Sequence, residues 1–245
     1  NTYVAWTWRA GGPAVSNTDG DITSQVSANN DYGFSIVRWT NNGSNTPSDH
    51  QVGHGLNGTP DLVIVKSIGS TSDWAVYSEH FSNPVRDEVY LNNSNAKATA
   101  GVDLYHRDST TVGFRGSSIG SSGNDQIAYC WKEVSGFSKF GTWTGTGSAS
   151  GNKVTTNFKP RFLMWKRTDT NDNWAMVDSE RSGSNPMDDW LGSAYSDGES
   201  ANNSAYAVDF LDDGFELKAT HVATNASGGN YIYMCFADRP GNNWD

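Results

Sequence analysis

The chain contains the same pattern twice, and this repetition constrains its fold more than any other feature of the sequence. Residues 60–66 (PDLVIVK) match residues 160–166 (PRFLMWK), and residues 74–76 (WAV) match residues 174–176 (WAM), both at an offset of 100 positions. Further matches follow in the same order with small insertions: 39–43 with 143–147, 83–84 with 185–186, 113–114 with 214–215, and 127–133 with 232–238. Two related units of about 100 residues are therefore expected, a length typical of one small domain.

The apolar residues of each repeat occur in short alternating runs. These runs are rich in Val, Ile and aromatic residues and are separated by Gly, Asn, Ser, Asp and Pro, which is the pattern of antiparallel strands joined by turns. In the first repeat they are 35–40, 62–66, 74–78, 102–106, 112–115 and 127–133. About six or seven strands per unit of this size are typical of a β-sandwich. The sequence thus predicts an all-β fold of two tandem antiparallel β-sandwich-like repeats with little helix, the one weak helix signal being at 185–191.

The first residues of the chain resemble the end of each unit. Residues 4–9 (VAWTWR) are similar to residues 127–132 (IAYCWK), so we expect them to be the last strand of a preceding repeat, or a strand that completes the sheet of a neighbour. A linker with one extra strand near 22–27 is expected to follow. The predicted organisation is an N-terminal strand and linker at 1–32, followed by the repeats at 33–135 and 136–245.

Charge and hydropathy exclude several classes of partner. Seventeen basic residues against 27 acidic ones give a formal net charge of −10, which repels nucleic acid and anionic lipid. No apolar run approaches the roughly 20 residues of a membrane span, so no membrane insertion is expected. The two cysteines, Cys130 and Cys235, lie in apolar alternating runs. We expect them to be buried free thiols, with a disulfide between them as the alternative.

Two short motifs imitate catalytic or metal sites. Residues 116–120 (GSSIG) fit the G-x-S-x-G pattern of a nucleophile elbow, but the next residues read as a turn and a strand rather than a helix. His50 and His54 have the spacing of zinc ligands on a helix, but three glycines surround them and no glutamate follows His50. His54 is expected to stabilise a turn. No catalytic residue and no metal ligand is assigned.

The acidic loops offer one cofactor alternative, bound calcium. Residues 169–180 imitate a calcium-binding loop, but Trp174 stands where the sharp turn requires glycine, so a hairpin turn is expected there. Calcium held in another loop geometry, by Asp19 and Asp21 or by Asp212 and Asp213, is the alternative. Otherwise no cofactor is predicted.

The tryptophans divide into two groups. Those that recur in both repeats are expected in the cores, because two copies of one fold bury equivalent positions. They are Trp39 with Trp143 and Trp74 with Trp174. Trp190 and Trp244 have no aromatic counterpart, and Trp190 lies in a polar segment close to Tyr195. Trp190, Tyr195 and Trp244 are therefore candidate residues for contact with a ligand or partner, with simple packing as the alternative for Trp190.

The order of several motifs resembles a known class of proteins. These motifs are YVAWTWRAGG, SNTDGDITSQVSAN, GFSIVRWT, VGHGL, PDLVIVK, WAVY, IAYCWKEVSGFSKFGTWTGTG and SGGNYIYMCFADRP. Together they resemble the repeat domains of tail-fibre-like and other virion structural proteins of marine bacteriophages. The resemblance implies a non-enzymatic part of a tail fibre or surface appendage, located at the virion surface outside the cell, that serves host attachment or particle decoration. It carries no catalytic residues.

The same resemblance implies the partners. They are other virion proteins and further copies of the chain, since fibre proteins commonly form homotrimers, and a glycan or protein of the host surface. Two alternatives are kept. A carbohydrate-binding adhesin module would present exposed aromatic residues on one face. A glycan-degrading enzyme would need two carboxylates in one cleft at about 5 to 10 Å.

Overall fold

The computed structural model describes residues 3–238, and its regular structure is almost entirely β, with 39% strand and 8% helix. All of the described ladders are antiparallel, which confirms the predicted all-β class. The strands are β1 (Val15–Asn17), β2 (Ser24–Asn29), β3 (Phe34–Thr40), β4 (Gln51–Gly53), β5 (Leu62–Ser67), β6 (Ala75–Ser78), β7 (Asp87–Tyr90), β8 (Ala98–Thr99), β9 (Tyr105–Arg107), β10 (Thr111–Phe114), β11 (Asp125–Trp131), β12 (Ser138–Thr144), β13 (Asn152–Thr155), β14 (Pro160–Arg167), β15 (Trp174–Asp178), β16 (Val208–Leu211), β17 (Gly214–Leu217) and β18 (Asn230–Ala237).

The described helices are single turns that join strands. Three are α-helical turns: α1 (Gly116–Ile119), α2 (Ser179–Ser182) and α3 (Val222–Asn225). Two further turns are of the 3-10 type, Pro47–Asp49 and Ser204–Tyr206. Residues 185–191 form isolated β-bridges rather than the helix that their Asn-Pro pair weakly predicts.

The chain divides into two compact units. The first contains residues 1–72 and 101–132, and the second contains residues 73–100 and 133–245. In the first unit the strands of the larger sheet lie in the order β1-β2-β3-β11-β5, and a smaller sheet has the order β4-β10-β9. β11 is central because it pairs with β3 on one side and with β5 on the other.

The second unit repeats this arrangement. Its larger sheet has the order β12-β18-β14-β15 and its smaller sheet the order β13-β17-β16, while β6, β7 and β8 lie side by side. β12, β18 and β14 correspond to β3, β11 and β5, and the two small sheets correspond strand for strand. One strand order is therefore built twice, as the repeated sequence predicts.

In each unit the smaller sheet covers one face of the larger sheet, and aromatic residues fill the space between them. In the first unit Trp39 of β3 stacks on Phe114 of β10, with ring centroids 5.4 Å apart. In the second unit Trp143 stacks on Tyr231 at 5.0 Å and meets Phe215 edge-on at 5.7 Å. Trp39 and Trp143 thus hold equivalent core positions, as expected. The other recurring pair is less alike: Trp174 is buried and Trp74 only half-buried.

The compact units do not coincide with the predicted repeat boundaries at 33–135 and 136–245. Residues 73–100 come from the first repeat, yet they pack with the second. The indole Nε1 of Trp174 donates to the carbonyl of Tyr90 at 2.8 Å, and the hydroxyl of Ser193 donates to the carbonyl of Leu91 at 2.5 Å. Long-range contacts such as these leave no local pattern in the sequence, so the sequence did not predict this assignment.

The N-terminal segment contains one of the two expected strands. The extra strand expected near 22–27 forms as β2, between β1 and β3. Residues 4–9 pair with no strand of the described chain, and their pairing with a preceding repeat or a neighbour's sheet stays a prediction. Side chains hold the segment instead: Trp8 meets Trp131 edge-on with centroids 6.0 Å apart, and Asn29 Nδ2 donates to the Ala10 carbonyl at 3.5 Å.

Candidate functional site

A pocket opens on the first unit, where the loop after β3, the loop after β5 and the turn α1 come together. Its volume is about 550 Å³, which is within the range typical of small-molecule sites. Only Gly, Ser and Asn line it, and none of these side chains carries a charge. The lining residues are Gly43, Asn45, Ser70, Ser72, Gly116, Ser117, Gly120, Ser121 and Ser122.

A buried asparagine shapes the floor of this pocket. Asn41, only 2% exposed, donates from Nδ2 to the carbonyls of Gly116 and Gly120, both at 3.1 Å, and its Oδ1 accepts from the Gly43 amide at 2.7 Å. A Cβ at Gly116 would lie 2.6 Å from the Ser44 carbonyl oxygen, so the close approach of the two loops requires glycine. Asn41 therefore ties α1 to the end of β3.

The walls are held by two cations that hydrogen-bond backbone carbonyls. Arg115 Nη1 donates to the Asn45 carbonyl at 3.0 Å, and Lys66 Nζ donates to the Ser70 carbonyl at 2.8 Å. The Asn45 side chain completes the wall, because its Oδ1 accepts from the Ser117 amide at 3.1 Å. Both cations thus position the loops without lining the pocket themselves.

The G-x-S-x-G motif at residues 116–120 lies at this pocket. Its residues form the single helical turn α1, and the Ser118 amide donates to the Arg115 carbonyl at 2.9 Å. No histidine hydrogen-bonds to Ser118 within residues 3–238, the partner that a nucleophile elbow needs. The motif shapes a wall here, and the lack of a catalytic assignment stays a prediction.

His50 and His54 are both buried, and both are engaged by neighbouring groups. The indole Nε1 of Trp39 donates to His50 Nε2 at 3.0 Å. The Leu56 amide donates to His54 Nδ1 at 3.1 Å, and His54 Nε2 lies 3.4 Å from the Asp108 carbonyl oxygen. Burial lowers the pKa of both imidazoles, which favours their neutral form. His54 stabilises a turn as expected, and His50 serves the core.

Asp87 of the second unit is a buried carboxylate whose neighbours keep it ionised. It forms an ion pair with Lys97, and it accepts hydrogen bonds from the Thr99 hydroxyl at 2.5 Å and the Asn83 amide at 2.9 Å. Burial alone would raise the pKa of Asp87, but these donors hold it below its ordinary value. The carboxylate stays ionised and fastens β7 to β8.

The first part of the calcium-like segment 169–180 is a hairpin turn, as predicted. Residues 168–173 join the paired strands β14 and β15, and the rest of the segment is β15 and the start of α2. Its first carboxylate, Asp169, accepts from Arg167 Nε at 2.9 Å and from the Asn230 amide at 3.0 Å. The Arg167 guanidinium is the main cause that lowers the pKa of Asp169 to about 2.

The alternative calcium ligands lie in two separate loops. Asp19 accepts from Asn17 Nδ2 at 2.9 Å, and Asp21 accepts a backbone amide hydrogen at 3.3 Å. The Asp212 side chain is 98% exposed, and Asp213 contributes its carbonyl oxygen to two backbone hydrogen bonds. Among the described residues, no three His, Cys, Asp or Glu side chains come together as a metal site. Calcium binding stays a prediction.

The three candidate contact residues are not brought together. Trp190 is only 6% exposed and stacks on Tyr206, with ring centroids 4.0 Å apart. Packing therefore describes Trp190 better than contact. Tyr195 is 47% exposed and lies 5.5 Å from the Trp190 ring, so it remains available for contact. Trp244 lies outside the described residues.

Sequence reasoning did not predict the pocket. Serine and glycine are common in every loop of this chain, so their presence gave no specific signal. Two sequence features do belong to the pocket: residues 116–120 form one wall, and Asn41, which is replaced by Gly145 in the second repeat, forms the floor. Neither feature indicates a pocket until the positions of the loops are known.

No helix among residues 3–238 is both long and apolar enough to cross a membrane.

No curated protein and no solved structure matches the chain significantly. One family model matches residues 1–240, nearly the whole chain. The chain therefore belongs to this family, which is described as a domain of unknown function (DUF7483).

Proposed function

We propose that the chain is a non-enzymatic structural component of a bacteriophage virion, part of a tail fibre or surface appendage that serves host attachment or particle decoration. The observation that carries this proposal is the repetition of one strand order in both repeats. Tandem copies of one β-module lengthen a protein by repeating the same structural unit. The resemblance of the motifs to phage virion proteins supports the same assignment.

The way the buried ionisable groups are used supports a structural role. Asp178 accepts from the amides of Glu180 and Arg181 at 3.1 and 3.0 Å, so it caps the turn α2. Lys166 is fully buried, and its Nζ donates to the Asp172 carbonyl at 2.5 Å. With Asp87, His50 and the pairs already described, these groups fasten loops to sheets. Such a design favours rigidity.

The proposed location is the outer surface of the particle. The proposed partners are other virion proteins and further copies of the chain, with a homotrimer as the assembly that fibre proteins commonly form. A net charge of −10 favours solubility where many copies are crowded together. A glycan or protein of the host surface is the proposed external partner.

Immunogold electron microscopy tests this proposal. An antibody raised against the purified chain should label the fibres, another appendage or the capsid surface of phage particles that carry the gene. Antibody pre-adsorbed with the chain is the control and should give no label. Gold confined to the host cytoplasm, with bare particles, would contradict the proposal.

Carbohydrate binding is the second candidate function. The neutral pocket of the first unit and the exposed ring of Tyr195 favour it. The third candidate function is a glycan-degrading enzyme, and incubation of the chain with host polysaccharide separates it from simple binding. A chain that only binds should release no reducing ends, whereas steady release would favour the enzyme.

A further inference from the structure

We infer that the pocket of the first unit binds a neutral saccharide. This inference rests on the proposed attachment function, and it names the class of ligand and the residues that would recognise it. It draws on three features of the pocket: its uncommitted hydroxyl groups, its lack of charge and its difference from the second repeat.

The pocket presents groups that both donate and accept hydrogen bonds. The hydroxyls of Ser117, Ser121 and Ser122 make no hydrogen bond to any described residue, and Asn45 Nδ2 is likewise uncommitted because only its Oδ1 and carbonyl are engaged. A hydroxyl rotates to suit its partner, and an amide adds two fixed donors. Sugar hydroxyl groups need this mixture, since each of them also donates and accepts.

The charge of the pocket narrows the ligand further. No carboxylate lines it, so nothing there would hold a cation or an amine. Lys66 and Arg115 stand behind the wall and already donate to the carbonyls of Ser70 and Asn45. A phosphate or sulfate would find no side-chain cation among the lining residues. A neutral polyhydroxyl ligand therefore fits better than an ion.

The equivalent place in the second repeat is filled by a side chain. Asn225 occupies the position that corresponds to Gly120, and it is fully buried there. Its Nδ2 donates to the Ser148 carbonyl at 2.7 Å, and its Oδ1 accepts from the Thr146 amide at 2.8 Å. Gly120 has no side chain, and in the first repeat Asn41 reaches this junction from the other loop without lining the pocket. The inference therefore applies to the first repeat alone.

Weak binding of a single sugar is expected. No aromatic ring lines the pocket, so the stacking that strengthens many sugar sites is missing. An appendage with many copies compensates, because linked sites raise the overall avidity without new contacts. A host surface covered with repeated sugar units would then be recognised through many weak contacts.

The test is an NMR titration of the full chain labelled with nitrogen-15. Glucose, galactose, mannose and N-acetylglucosamine serve as neutral probes, and glucuronate and inorganic sulfate serve as charged ones. The amide signals of Gly43, Gly116 and Gly120 report on the pocket. At least one neutral sugar should shift these signals in a saturable manner, and the charged probes should not.

A matched pair of variants assigns the binding to the pocket. Ser122→Trp places a bulky ring at the mouth, and Ser227→Trp makes the same change at the corresponding position of the second repeat. The correspondence is visible in the contacts: a Cβ at Gly43 would lie 2.8 Å from Ser122 Cβ, and one at Gly147 would lie 3.2 Å from Ser227 Cβ. Affinity should fall at least about tenfold in the first variant and stay unchanged in the second.

Three outcomes would overturn the inference: no shift with any neutral sugar, shifts produced only by sulfate or glucuronate, or unchanged affinity in Ser122→Trp. Should that variant fail to fold, Asn45→Ala removes the amide without adding bulk and should weaken binding in the same way. The immunogold labelling does not depend on the pocket. Failure of this inference would therefore leave that result standing, and the reverse is also true.

Discussion

The two repeats share a strand order but place their buried asparagine on opposite sides of the same junction. In the first repeat Asn41, at the end of β3, reaches the carbonyl of Gly120. In the second repeat the position of Asn41 is Gly145, the position of Gly120 is Asn225, and Asn225 reaches back to the loop after β12. Each junction needs one buried amide to pair backbone groups that water cannot reach. The amide comes from the loop after a strand in one repeat and from the turn α3 in the other.

A second difference between the repeats concerns the size of two side chains at equivalent positions. Glu88 of β7 is buried and accepts from the hydroxyls of Tyr77 at 3.1 Å and Tyr90 at 2.6 Å. The corresponding position in the second repeat is Trp190, and its neighbour Gly192 corresponds to Tyr90. A Cβ at Gly192 would lie 2.9 Å from the Trp190 ring. The large ring of Trp190 is thus accommodated because glycine stands at the position that corresponds to Tyr90.

A third difference concerns the equivalent tryptophans. The indole of Trp39 donates to a titratable side chain, His50, at 3.0 Å. The indole of Trp143 donates to a backbone carbonyl, that of Thr224, at 3.2 Å. The same core contact therefore involves a titratable side chain in one repeat and a backbone carbonyl in the other. Together the three differences teach that the fold fixes where a polar or bulky group must lie, and not which residue provides it.

The largest expected effect comes from removing the ring of the second repeat. Trp190→Ala should lower the free energy of unfolding by about 4 kcal/mol, because Gly192 and Tyr206 cannot close the cavity. Tyr195→Ala should cost only about 0.5 kcal/mol, since that ring is half exposed. Urea unfolding followed by circular dichroism measures both. Similar losses for the two variants would contradict the assignment of Trp190 to packing.

The asparagine exchange gives the next largest effect. Asn225→Ala leaves several buried groups unpaired and should cost about 3 kcal/mol, while Asn41→Ala, with fewer partners, should cost about 2 kcal/mol. The same urea experiment measures both. Moving the amide across the junction, with Asn225→Gly and Gly145→Asn, should not restore stability. A Cβ at Gly145 would lie 2.0 Å from the Ala226 carbonyl oxygen. Full rescue by this double exchange would show that the two junctions are interchangeable.

The histidine contact should make the first unit sensitive to acid. Burial lowers the pKa of His50 in the folded state, so below its unfolded pKa of about 6.5 the unfolded chain binds more protons than the folded chain. The stability of the first unit should therefore fall as the pH is lowered through this value. His50→Gln keeps an acceptor for Trp39 but does not titrate, so it should reduce the loss. The remaining loss is assigned to His54, whose pKa is lowered in the same way.

Urea unfolding at about pH 7.5 and about pH 5, read from NMR signals of each unit, checks this expectation. Signals of β3 report the contact between Trp39 and His50, and signals of β12 report the contact between Trp143 and Thr224. An equal acid response of β3 in the wild type and in His50→Gln would contradict the role given to His50.

The smallest effect is expected at the equivalent lysines. Burial lowers the pKa of Lys166 to about 8, below the unfolded value of about 10.4. The unfolded chain then binds more protons between these values, so wild-type stability should rise with pH across this window. Lys166→Met should abolish the rise and gain about 1 kcal/mol at neutral pH, because a buried charge is removed. Lys66→Met is the comparison at the equivalent position: it removes a half-buried lysine that donates to the Ser70 carbonyl, so the rise caused by Lys166 should remain and no stability should be gained. Thermal unfolding across the window measures both.

The strands were predictable because their signal is local. The predicted runs 35–40 and 62–66 lie within β3 and β5, and the run 127–133 overlaps β11 at residues 127–131. Alternation of apolar and polar residues follows directly from a half-buried sheet. The repetition then gave the strands of the second unit without further argument. Residues 4–9 show the limit of this reasoning, because a strand-like pattern forms a strand only where another strand pairs with it.

The candidate site was much less predictable. The packing of residues 73–100 with the second repeat depends on contacts such as Trp174 with Tyr90, which lie 84 positions apart. The pocket depends on three loops whose sequences carry no shared pattern. The burial of Trp190 depends on Tyr206 and Gly192, which flank it only after folding. Such features come from tertiary structure, and a single sequence does not encode them locally.

The two free cysteines make the opening of each repeat measurable by chemical modification. Cys130 lies in the first unit and Cys235 in the second, both fully buried in central strands. Burial raises the pKa of Cys130 to about 12 and that of Cys235 well above its usual range, so neither thiol reacts while its sheet is closed. The rate of alkylation at each position then measures how often that repeat opens. Mass spectrometry of one alkylated sample would follow the opening of the two repeats separately.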